Sequence, residues 1–138
     1  MKGTIDLRKG VQFEARSGSG HTLVLEGSPE SGGINEGMRP MEALLLGMGG
    51  CTAYDVAQIL RRQRREPSSL AIEMEAKRSE QVPMVFTHIH LKYRVGGSGI
   101  TERQVKRAID LSIEKYCSAT RMLAMTAKVT YEFEVRDI

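Results

Sequence analysis

"RPMEALLLGMGGCTAYDVAQIL", residues 39–60, decides how the chain is read. Pro40 has no N–H to leave unsatisfied, so it can open a helix. The pattern then runs unbroken from Met41 to about Arg65. "RRQRREP", residues 61–67, places basic side chains at the negative end of the helix dipole and a proline just beyond. The first half, "ALLLGMGGC", is apolar on every face, the mark of a helix enclosed by protein. Gly47, Gly49 and Gly50 each cost roughly 1 kcal/mol of helix propensity relative to alanine. Three such penalties in four residues call for close approach of another backbone, such as a partner subunit's helix. A membrane span is not expected, because Glu42 precedes and Asp55 and Gln58 follow too closely for ~20 uninterrupted apolar residues. Directly after the glycines stands Cys51, one of only two cysteines.

On the N-terminal side, "TIDLRK" and "VQFEAR" flank Gly10, and "HTLVLEG" follows the turn-like "SGSG", the pattern of a strand meander. Residues 28–40, rich in Gly, Ser and Pro, read as a long loop. On the C-terminal side, Leu70, Ile72, Met74 and Ala76 alternate with Glu73, Glu75 and Lys77. In the next strand, positions 85, 87, 89, 91, 93 and 95 form the apolar face and His88, His90, Lys92 and Arg94 the wet one. Thr101 with Gln104 is a capping-box pattern that opens a helix, residues 101–117, carrying Val105, Ala108, Ile109 and Ile113 at helical spacing and ending in Cys117. "SATRML" reads as a short helix, and a last strand points Val129, Tyr131, Phe133 and Val135 inward. The whole is an α+β fold with largely antiparallel sheet, one domain over residues 1–138.

A chain of 138 residues, 41% hydrophobic and 27% charged, has the composition of an ordinary soluble globular protein. Its charge of +3 is too modest to call for nucleic acid. The basic run Arg61–Arg65 lacks interleaved aromatics and reads as a solvated helix end. The charged N-terminus has no apolar h-region, so the cytoplasm is the expected compartment. His88 and His90 have a spacing that can ligate zinc, but no third ligand is apparent and Lys92 and Arg94 stand beside them, so no metal is expected there. No cofactor is expected either. The two cysteines form neither a secreted-type disulfide framework nor a CxxC motif. Spacing alone leaves them open as inert core thiols or as a redox pair, with Cys117 at a helix start where N–H groups lower a thiol's pKa.

"RPMEALLLGMGGCTAYDVAQIL" resembles the central-helix signature of the OsmC and organic hydroperoxide resistance family, in which a Pro-Glu start leads to a reactive cysteine about ten positions later. "AIDLSIEKYCSATRMLAMTAKVTYEFEV" resembles its second signature, a helix ending in the second cysteine, a short turn and a final strand. Together they cover nearly the whole chain. The resemblance implies an OsmC-like fold, mostly antiparallel sheets wrapping long central helices, in an intertwined homodimer with two active sites at the interface. It implies that Cys51 attacks the O–O bond of an organic hydroperoxide, that Cys117 condenses with the resulting sulfenic acid, and that an external dithiol reduces the disulfide. It also implies an arginine from the N-terminal strands beside Cys51. Arg16 is the best counterpart by position, with Arg8 and Arg39 as alternatives. The family holds that arginine by a glutamate directly after the helix-starting proline. Here Met41 follows Pro40, which marks a divergent member, and Glu42, nine residues before Cys51, lies roughly 180° around the helix from it. Asp55, on the thiol's own face, and Arg121, near Cys117, are the candidates to rebuild the network; an unpaired Asp55 would raise the thiol's pKa. The alternative function is a non-enzymatic dimer that binds a small apolar ligand or partner at its interface pocket.

Overall fold

Gly10 and Gly20, both at positive φ, close the two hairpins at the start of the chain. They join β1 (Gly3–Lys9), β2 (Gln12–Ser17) and β3 (Thr22–Glu26) into an antiparallel meander. The computed structural model describes all 138 residues as two compact units, Met1–Leu46 and Gly47–Ile138. In the first unit the register aligns Ile5 with Ala15 and Leu23, and Leu7 with Phe13 and Leu25, so one sheet face has an apolar centre. Much of that face is open: Ile5 is 61% and Leu7 64% exposed.

The loop after β3 is organised by one carboxylate. Glu26 is buried, and its oxygens accept the backbone N–H groups of Ile34 at 2.6 Å, Glu36 at 2.6 Å and Gly37 at 2.9 Å. These donors, Ile34 foremost, hold the Glu26 carboxyl below the usual carboxylate range against the opposing effect of burial. The loop leads into α1 (Pro40–Arg62). Arg39 caps it: the Arg39 carbonyl accepts from Ala43 N at 3.1 Å, and Glu42 Oε1 reaches back to accept from Arg39 N at 2.9 Å. Pro40 is thus the first helical residue and Glu42 the third, where a carboxylate serves the helix start.

In the second unit α1 buries Met48, Gly49, Thr52, Val56, Ile59 and Leu60. It stops at Arg62, short of Arg65, through a turn at Arg64 with positive φ, and Pro67 follows. By length and composition alone α1 is long and apolar enough to cross a membrane, a test that the core helix of a soluble protein also passes. Of the three glycines only Gly49 is explained within the chain: a Cβ there would lie 2.5 Å from Met74 Sδ, whereas Gly47 and Gly50 face open space.

The second sheet has the order β4 (Ser69–Arg78), β5 (Phe86–Gly96), β6 (Lys128–Arg136). β4 and β5 are antiparallel, but β6 lies parallel to β5 because the intervening helices carry the chain back to the same end of the sheet. The expected apolar face of β5 holds from Ile89 to Val95 and fails at its start. Arg78 pairs with Phe86 and Lys77 with His88, so Thr87 is an extra residue in the ladder; this bulge turns Phe86 inward and leaves Val85 exposed. α2 (Glu102–Leu111) begins with the reciprocal Thr101–Gln104 capping box. It does not continue as α-helix to Cys117: Ser112–Tyr116 form a π-turn, closed by Cys117 N donating to Ser112 O at 2.7 Å, and α3 (Ser118–Leu123) follows.

Glu26 gives the first unit an acid-sensitive element. A carboxyl whose folded pKa is depressed adds stability that is full above the unfolded value of about 4.3 and is lost as pH falls through the folded value. The protection of the Ile34, Glu36 and Gly37 amides, taken relative to their intrinsic exchange rates, is expected to fall below that unfolded value; in Glu26→Gln it is expected to be low already at neutral pH, with no further carboxyl-dependent step.

Candidate active site

The buried face of α1 carries one hydroxyl, Thr52, amid apolar neighbours. Its Oγ1 lies 2.8 Å from Tyr93 OH on β5 and 2.8 Å from Ser112 Oγ at the start of the π-turn. Ser112 Oγ in turn donates to Asp55 Oδ2 at 2.9 Å. A serine hydroxyl has one hydrogen. Because Ser112 spends it on Asp55, Thr52 must donate to Ser112 and Tyr93 to Thr52, so the chain runs in one direction, Tyr93 to Thr52 to Ser112 to Asp55. Tyr93, Thr52 and Ser112 are fully buried, and burial pushes the Tyr93 phenol up, which keeps it a donor.

This chain brings the sequence's two thiols together. The Sγ atoms of Cys51 and Cys117 and a carboxylate oxygen of Asp55 all lie within 4.8 Å of one another. Cys51 and Asp55 are half-buried, and Cys117 is fully enclosed. Cys117 occupies the N-cap of α3, where its sulfur accepts from Thr120 Oγ1 at 3.0 Å and Thr120 N at 3.4 Å. The expectation that this helix start lowers the Cys117 pKa is corrected. Burial pushes the thiol up, the two Thr120 donors pull the other way, and neighbouring Cys51 raises it further.

Arg16 lies on β2 in the first unit, exposed, with Nη2 3.2 Å from Glu14 Oε1. Arg8 is exposed on β1. Arg39 is committed to its own loop, donating to Gly37 O at 2.8 Å and Asn35 Oδ1 at 3.0 Å. Arg121 donates to Glu114 O at 3.3 Å, so it braces the π-turn, and no cation of the second unit forms an ion pair with Asp55. Thr52, Tyr93 and Ser112 were not foreseen as parts of the site. The one signal was a polar Thr52 in an otherwise apolar helix face; its partners lie 41 and 60 residues away in sequence.

The family model described as OsmC-like protein matches residues 32–132. The chain belongs to the OsmC-like family. It is 36% identical over 135 residues to "Protein YhfA" of Escherichia coli K12, with 98% of each chain covered. An OsmC-like protein from Mycoplasma pneumoniae superposes with a TM-score of 0.82 at 19% identity, covering 97% of this chain and 95% of that one. The organic hydroperoxide resistance protein OhrB of Bacillus subtilis superposes at 0.67 and 14%, covering 97% and 98%. These two structures share the OsmC-like fold of mixed helices and sheets. At the helix start Met41 follows Pro40, and Glu42 is occupied in capping α1.

Thr52→Val keeps the shape of the side chain but strands the Tyr93 hydroxyl and removes the donor to Ser112. Leaving buried polar groups unpaired is expected to cost about 1–3 kcal/mol. Urea denaturation is expected to show a lower midpoint with an unchanged slope.

Proposed function

We propose that the protein is a cytoplasmic thiol-dependent peroxidase that reduces organic hydroperoxides, acting as a homodimer. The observation that carries this reading is the convergence of two cysteines distant in sequence, one accessible and one enclosed, within 4.8 Å. Membership of the OsmC-like family and a fold shared with organic hydroperoxide resistance proteins support a redox role.

Cys51 is the attacking sulfur, because it is the more exposed of the pair. As a thiolate it takes the terminal oxygen of R–O–OH; the O–O bond breaks, the alkoxide leaves and is protonated to the alcohol, and Cys51 becomes a sulfenic acid. The Cys117 thiol then attacks the oxidised sulfur, a disulfide forms and water leaves. An external dithiol returns both cysteines to thiols and is itself oxidised to a disulfide. Burial that raises the Cys117 pKa suits this order, since a protonated sulfur waits until its partner is oxidised. Arg16, from the first unit, is the proposed cation for the Cys51 thiolate.

The dimer is supported by two open surfaces. Ala43, Leu46, Gly47, Gly50 and Tyr54 share one stripe of α1 at helical spacing; Leu46 is 49% and Tyr54 66% exposed, and Cys51 sits at the stripe's edge. The apolar face of the first sheet is the other, and a three-stranded sheet gains stability by covering such a face. A second copy of the chain supplies a cover for both.

Intact mass and thiol counts after one equivalent of cumene hydroperoxide test the chemistry. Wild type is expected to lose both thiols to a 51–117 bridge, Cys51→Ser to be inert, and Cys117→Ser to stop at a trappable sulfenic acid. Survival of both thiols in folded wild type under excess peroxide would sink the assignment and favour the non-enzymatic binding alternative.

Light scattering tests the dimer. Gly50→Leu, whose side chain meets open space within one chain, is expected to keep its circular dichroism and to shift the protein toward monomer. An unchanged mass for wild type and variant would remove α1 from the interface.

A further inference from the structure

Cys51 and Asp55 stand one helical turn apart on α1, and Cys117 closes the triangle from the start of α3, with the three ligand atoms within 4.8 Å of one another. We propose that these three side chains bind a thiophilic divalent cation, zinc foremost, with a coordination position left for water or an added thiol. Two thiolates and one carboxylate match the donor preferences of zinc and cobalt and disfavour magnesium and calcium, which take all-oxygen shells.

Two features around the triangle resemble the support that metal ligands receive. Ser112 Oγ donates to Asp55 Oδ2, which fixes one carboxylate oxygen and leaves the carboxylate its other lone pairs. Thr120 donates to Cys117 Sγ from both its hydroxyl and its backbone, which fixes where that sulfur points. No basic side chain of the second unit is paired with Asp55, so a cation has no internal competitor there. The histidine strand offers no comparable set: His90 is engaged with Thr130 at 2.7 Å and Glu132 at 3.5 Å, and His88 with Thr87 at 3.1 Å.

Binding replaces the two S–H protons by two S–metal bonds and releases both protons to solvent, with no change of oxidation state. A bound ion occupies the lone pairs with which Cys51 would attack a peroxide and Cys117 would close the disulfide. The metal therefore holds the pair reduced and silent. This regulatory consequence rests on the peroxidase reading, whereas the binding itself does not.

The test uses reduced, chelator-treated full-length protein titrated anaerobically with cobalt(II). A near-ultraviolet thiolate-to-cobalt charge-transfer band is expected, saturating at one ion per chain and abolished by added zinc. Cys51→Ser and Cys117→Ser are each expected to lose at least half of the band, and Ser112→Ala to bind roughly tenfold more weakly. The double variant His88→Ala/His90→Ala is expected to match wild type. Without any variant, one equivalent of zinc is expected to slow modification of Cys51 by a thiol reagent at least about tenfold, since the reagent attacks the free thiolate, and EDTA to restore it. Absence of the band in wild type, or its persistence in Cys51→Ser, overturns the site. If cobalt binds while metal-free protein ignores hydroperoxide, the site stands and the peroxidase reading falls; if peroxide bridges the cysteines while cobalt gives no band, the reverse holds.

Discussion

A helix packed by apolar contacts alone can rotate and slide at little cost, because dispersion contacts have no direction. Hydrogen bonds do. Thr52 is the one polar side chain on the buried face of α1, and its Oγ1 is tied on two sides, to Tyr93 on β5 and to Ser112 at the π-turn. That double tie fixes the rotation of α1 about its axis. Cys51 and Asp55 lie together to one side of Thr52 on the helix surface, so the same tie sets where both point. The widened turn acts from the other side: the five-residue step from Ser112 to Cys117, closed by the Cys117 N–H, ends α2 early and delivers the second sulfur to the start of α3. Two constraints from opposite ends of the sequence thus converge on one sulfur pair.

The one-way order of the hydroxyl chain adds an electrostatic consequence. Every hydrogen in it is directed toward Asp55, so the carboxylate receives the positive end of a series of aligned dipoles drawn from the core. An arginine–glutamate pair of the kind the hydroperoxide resistance resemblance implies would provide charge from the surface. Here the available glutamate, Glu42, is spent on the first turn of α1, and the carboxylate nearest the thiols is held by neutral hydroxyls. Within the second unit the carboxylate is held by hydroxyl dipoles and by no ion pair.

Much of the fold was legible because it rests on period. Alternation in β4, β6 and most of β5 gives the correct inward faces, and the Thr101–Gln104 pair marks the start of α2 to the residue. What escaped depends on partners that no local pattern names. The bulge at Thr87 is a mismatch between two strands, visible only once Lys77 and Arg78 have found their opposites. The early end of α2 leaves Ile113 at helical spacing, because a π-turn shifts the hydrogen bonds without altering the apolar pattern that precedes it. Composition marks residues 28–40 only as a loop, yet a single carboxylate, Glu26, orders it through three backbone donors. The two cysteines were legible as candidates and their proximity was not, since spacing carries no information about which helix end a fold will bring to which.

Proximity also links the two chemistries proposed for the site. A metal ion binds the pair only as thiolates; a disulfide offers it no anionic sulfur. The free energy of metal binding is therefore subtracted from the driving force for oxidation, and by the same cycle oxidation expels the metal with the same factor. The two states need no separate sensing element, because Cys51 and Cys117 take part in both. Asp55 alone distinguishes the outcomes: it gives a third ligand to a cation and takes no part in the disulfide. The carboxylate, held by Ser112 within reach of both sulfurs, therefore bears on the metal-bound state and leaves the oxidised one to the sulfurs alone.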